Sequence, residues 1–68
     1  MYDYSKLLGR MREKNMTQEA LADSIGVSAF TLNGKLNNKT DFKQSEILKI
    51  AKELGISDKH IVEYFFAH

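Results

Sequence analysis

The sequence predicts an all-α fold of five helices. Apolar residues recur at spacings of three and four along the whole chain, with no stretch of strict alternation. Proline is absent, so no helix interior is broken by one. Turn-forming residues (Asn15, Gly26, Asn37, Asn38, Gly55) fall between the periodic segments rather than inside them.

The first helix is expected from about Tyr4 to Lys14, with Tyr4, Leu7, Leu8 and Met11 as its apolar stripe. Asp3 suits its N-cap, because a carboxylate accepts from the free amides of a first turn. Asn15 suits a left-handed stop, and Met16 can fold back onto the last turn. Arg10, Arg12 and Lys14 lie near the helix C-terminus, where the dipole favours cations. The second helix runs from about Gln18 to Ser24, capped by Thr17 and stopped by Gly26. The third begins after Val27 with Ser28 as its cap and runs to about Leu36 or Asn37, with Phe30, Leu32 and Leu36 apolar and Gly34 an unfavourable interior residue. A polar loop over 37–42 leads to the fourth helix, Gln44 to Leu54. There Ile47, Ile50, Ala51 and Leu54 give the clearest amphipathic pattern, and Gly55 ends it. The fifth begins at Ser57 and places Ile61, Val62, Phe65 and Phe66 on its apolar side.

Size and composition narrow the function. Sixty-eight residues make one domain, 1–68, with a small core. There are no cysteines, which removes disulfides and thiolate metal sites. His60 and Glu63 share a helix face at i, i+3, but two ligands do not close a zinc site, so no metal and no cofactor are expected. No nucleophile–base–acid signature and no glycine-rich phosphate loop is present, and a chain this short lacks a cleft for a small-molecule substrate; no enzyme activity is expected. No apolar run is long enough to span a membrane and no signal peptide is recognisable, which fits a cytoplasmic protein. The net charge is +1, but it is uneven: residues 1–40 carry six basic and four acidic side chains, residues 41–68 four and five. The N-terminal part therefore leans toward anion binding.

The segment from about 17 to 37 is the informative one. Two short capped helices flank Ile25-Gly26-Val27, where glycine permits a sharp left-handed turn. Ala20 is expected at the tight crossing, with Ile25, Val27 and Leu32 filling the junction. A helix-turn-helix needs this: two helices locked at a steep angle so that the second projects into a major groove.

Met16-Thr17-Gln18-Glu19-Ala20-Leu21-Ala22 followed by Ile25-Gly26-Val27-Ser28 resembles the phage Cro and repressor helix-turn-helix family, also called the xenobiotic-response-element regulators. Ile47 to Ile56 resembles that family's fourth helix, and the likeness covers about residues 4–60. Residues Leu32 to Lys39 depart from the commonest pattern by what looks like one extra residue, and are similar to a Cro-like branch in prophages of Gram-positive bacteria. The resemblance implies a five-helix lambda-repressor-like DNA-binding fold and a sequence-specific repressor that acts by occupying a double-stranded operator.

It also implies residue roles. Gln18 corresponds to a glutamine that bonds a phosphate and braces the recognition helix. Ser28, Ala29 and Phe30 open the recognition helix; Thr31 and Asn33 follow, with Asn33 suited to adenine and Phe30 to a thymine methyl. Lys35, Asn38, Lys39 and Thr40 fall where the family touches the phosphate backbone. Each residue has a plainer reading: Ser28 as a cap alone, Phe30 as core, Asn33 as a solvated amide, the lysines as ordinary surface charges.

One helix face cannot bury Tyr64-Phe65-Phe66 together, so these aromatics either fold onto the core or form a homodimer surface that matches a near-palindromic operator. The alternative function is a protein-interaction module on the same fold, an anti-repressor or an antitoxin, favoured by the near-neutral charge and the aromatic tail.

Overall fold

The computed structural model describes residues 1–68 and contains helices and turns with no strand. Its α-helices are α1 (Ser5–Glu13), α2 (Gln18–Ile25), α3 (Ala29–Leu36), α4 (Gln44–Leu54) and α5 (Ile61–Phe65). A 3₁₀ turn, Asp58–His60, leads into α5. The fifth element thus starts at Ser57 as expected, but its first turn is 3₁₀ and the α-helix proper begins at Ile61.

Local signals account for most of the boundaries. Thr17 Oγ1 accepts from the Ala20 amide at 3.0 Å, and Ser28 Oγ accepts from the Thr31 amide at 3.1 Å. Gly26 ends α2 at φ 80°, and the Val27 amide returns to the Ala22 carbonyl at 3.0 Å. The same closure recurs twice with asparagine in place of glycine. Asn15 (φ 54°) lets the Met16 amide reach the Met11 carbonyl at 2.8 Å, and Asn38 (φ 61°) lets Lys39 reach Gly34 at 2.9 Å. Asp3, expected as the cap, lies one residue before it: Tyr4 occupies the N-cap position, and Asp3 accepts from the Ser5 amide at 2.9 Å.

One apolar cluster joins all five helices. Leu7, Leu21, Leu32, Ile50, Leu54 and Phe65 are its largest wholly buried members. Ala20 is exposed, and the small residue that α2 turns inward is Ala22. The placement at the crossing is therefore corrected by two positions, about 200° around the helix. Val62, expected on the apolar side of α5, is 68% exposed.

An aromatic chain closes the end of the molecule where the termini meet. Tyr4 and Phe65 each pack edge-on against Phe42, with centroids 5.4 and 5.6 Å apart, and Tyr2 packs edge-on against Phe66 at 5.6 Å. The Asp3 amide donates to the Ala67 carbonyl at 2.7 Å, so residues 1–3 lie along the end of α5.

Candidate functional site

The turn at Gly26 sets α2 and α3 against each other, and Ile25, Leu32 and the half-buried Val27 fill the angle between them. This presents the N-terminus of α2 and the outer side of α3 as one face. Asn33 Nδ2 donates to Gln18 Oε1 at 3.1 Å, and Asn37 Nδ2 donates to Asn33 Oδ1 at 3.1 Å. The three amides form a ladder that ties the start of α2 to the end of α3. It leaves the Gln18 amide nitrogen without a partner of its own.

The predicted contact residues separate into two groups. Phe30, Thr31, Asn33, Lys39 and Thr40 are exposed and, with Gly34, line a shallow hollow on α3. Phe30 is 89% exposed, which excludes its core reading. The other group is buried or already engaged within the fold. Ala29 is half-buried against the core. Ser28 Oγ caps α3 and also donates to Thr31 Oγ1 at 2.9 Å, so its hydroxyl is occupied.

Lys35 is a correction. It is 5% exposed, its ammonium lies 3.1 Å from Glu46 and it donates to the Asp41 carbonyl at 3.0 Å. A charge sealed in this way is not free to meet a phosphate. Asn38 is a second correction. Its Nδ2 donates to the Tyr2 carbonyl and its Oδ1 accepts from the Tyr2 amide, both at 2.8 Å, so the side chain clasps the N-terminal segment.

The aromatic tail also divides. Phe65 is 1% exposed and belongs to the core, which removes it from any interface. Tyr64 is partly buried, with the Lys6 ammonium 5.7 Å from its ring centroid. Phe66 is 41% exposed; with Phe42, Ile47, Leu48 and Ile61 it lines an open apolar groove between α4 and α5. Sequence reading missed this groove. Its one visible signal was Leu48, an apolar residue outside the buried stripe of α4.

The fold also consumes two further cations. Arg10 donates from Nε to the Leu54 carbonyl at 2.8 Å and from Nη2 to the Gly55 carbonyl at 3.2 Å, capping the C-terminus of α4, while its Nη1 pairs with Glu13 of its own helix at 3.3 Å. Lys6 pairs with Glu63 of α5. Of the six basic side chains in residues 1–40, only Arg12, Lys14 and Lys39 lack an ion pair. Burial alone would raise the Glu46 pKa. The Lys43 amide and the Lys35 ammonium outweigh it, and the carboxyl titrates below its ordinary range.

Fold and face together define a small all-helical protein in which a tight turn joins α2 and α3, the outer side of α3 being exposed and uncharged. The chain belongs to the family described as "Protein of unknown function (DUF739)", whose model matches residues 1–68. It is similar to the modulator of repression of the temperate bacteriophage TP901-1 from Lactococcus lactis, known from a solution structure. The two are 45% identical, the match covers 96% of this chain and 88% of that one, and the TM-score is 0.80. No curated protein matches the chain. The matching family is thus one of unknown function, with a phage regulatory protein as homologue, and membership of the Cro and repressor family is not shown.

Proposed function

We propose that this chain is a phage regulatory protein that modulates repression by binding another regulator, a repressor, rather than by occupying an operator alone. The observation that carries this reading is the removal of cations from the helix-turn-helix face. Lys35, the one charged residue of α3, is sealed against Glu46, and of the α1 cations Arg10 is turned toward the end of α4 and Lys6 toward Glu63 of α5, away from that face. Duplex binding draws much of its affinity from neutralised phosphates, and this face retains Lys39, with Arg12 beside Thr17 at the start of α2. Protein interfaces instead favour exposed aromatic anchors with few charges, which Phe30 and Phe66 supply. The homologue is a modulator of repression, which agrees with this class of action.

The test is a titration of the purified chain into the repressor of the same phage genome bound to its labelled operator, at near-physiological salt. Binding to the repressor and a change in operator occupancy are expected, with no retention of the operator by the chain alone. Failure to bind the folded repressor would sink the reading.

One observation favours direct DNA recognition as a second reading. The Gln18–Asn33 bond and the exposed Thr31 and Phe30 form a surface that resembles a base-reading face. Selection from a random duplex pool would then enrich an inverted repeat, bound by a dimer, or a single half-site, bound by a monomer.

A further inference from the structure

Gly34 sits in the interior of α3 with no internal reason to be glycine. It is not a left-handed position, and a Cβ added there would meet nothing within 4 Å. Alanine would favour the helix and fit the space, so the fold is less stable for having glycine there. Phe30 lies one turn earlier on the same side of α3, 89% exposed, and both residues border the hollow that Thr31, Asn33, Lys39 and Thr40 complete. An uncovered aromatic ring beside a bare stretch of helix backbone is a knob next to a flat place.

We infer that a protein partner packs directly on the α3 backbone at Gly34 while the Phe30 ring enters an apolar pocket of that partner. This rests on the proposal that the chain acts by binding a repressor, and it assigns the contact to α3 rather than to the α4–α5 groove. Charge favours protein over nucleic acid as the occupant. Lys39 is the one charged side chain around the hollow, whereas a duplex would bring a row of phosphates. A glycine at the contact allows closer backbone approach than any other residue.

Gly9 provides an internal control. It too is in a helix, α1, and a Cβ there also meets nothing within 4 Å. Gly34→Ala and Gly9→Ala are both expected to raise the melting temperature, by about 4 °C each. Affinity for the purified repressor of the same genome is measured by titration calorimetry. Gly34→Ala and Phe30→Ser are expected to weaken it about tenfold or more, with Gly9→Ala unchanged. If Gly34→Ala melts higher and binds the repressor as the wild type does, this inference is wrong and the modulator reading stands. If the wild type does not bind the repressor, both fail. If it instead retains operator duplex through Phe30, the occupant is DNA and the protein form of the inference is overturned. Gly34→Ser repeats the test should the alanine variant not fold.

Discussion

The Lys35 ammonium lies 3.1 Å from the Glu46 carboxylate, and the two side chains are 7% and 9% exposed. Lys35 is on the third helix and Glu46 in the first turn of the fourth, where its other role is to accept from the Lys43 amide at 2.8 Å. The pair therefore fixes the loop between the helix-turn-helix and the rest of the core. Removing one partner leaves the other charged and buried. Lys35→Met is expected to cost about 3 kcal/mol in urea unfolding, and the double variant Lys35→Met/Glu46→Gln, which keeps an acceptor for the Lys43 amide, to recover part of that loss.

The same carboxylate makes stability depend on acid. Its pKa is lower in the folded chain than in the unfolded one, so it contributes stability at neutral pH and loses that contribution as pH falls through the folded value. Asp3 and Glu63 are shifted the same way, through hydrogen bonds to Ser5 and Lys6 respectively. Urea midpoints are expected to fall from about pH 5 downward. A midpoint that is flat or rising between pH 5 and 3 would contradict these assignments.

Arg10 caps α4 through two carbonyls that only a forked donor reaches together. Arg10→Ala is expected to destabilise the chain by about 1–2 kcal/mol, and Arg10→Lys by less, since one ammonium keeps the favourable charge at the helix end. Thermal melts of the two variants check the order.

Asn38 combines a left-handed backbone with a two-bond clasp on Tyr2. Glycine keeps the first property and loses the second; alanine loses both. Asn38→Gly is expected to cost about 1–2 kcal/mol and Asn38→Ala more. Faster hydrogen exchange of the Tyr2 amide in both variants would report the opened clasp.

The two adjacent phenylalanines should behave oppositely. Phe65→Ala is expected to cost about 3–5 kcal/mol, because it empties the core between Phe42 and its neighbours. Phe66→Ser is expected to cost less, about 1–2 kcal/mol, the residue being 41% exposed and packing edge-on against Tyr2. Comparable losses for both would show that the two rings are equally buried.

The helices were legible because their causes are local. Thr17, Ser28, Gly26 and Gly55 act within four residues of themselves, and the α4 stripe announces its buried side without reference to any other element. Ala20 was misplaced because periodicity in an eight-residue helix does not say which of two alanines faces inward.

The face was legible only in outline. Sequence placed Phe30, Thr31 and Asn33 on one helix after a tight turn, but left Phe30 with two readings until its exposure was known. It could not show that Asn38 turns back to Tyr2, 36 residues away, nor that Arg10 reaches across to Leu54, 44 residues away.

By itself, then, the sequence determined the five helices, the caps of α2 and α3 and the turn that exposes the outer side of α3. These follow from hydrogen bonds and spacings among near neighbours. The tertiary structure decided which charges and aromatics remain free. Long side chains such as lysine and arginine, and amides such as asparagine, find partners on other elements once the core brings those elements together, and a buried partner removes them from any surface that binds.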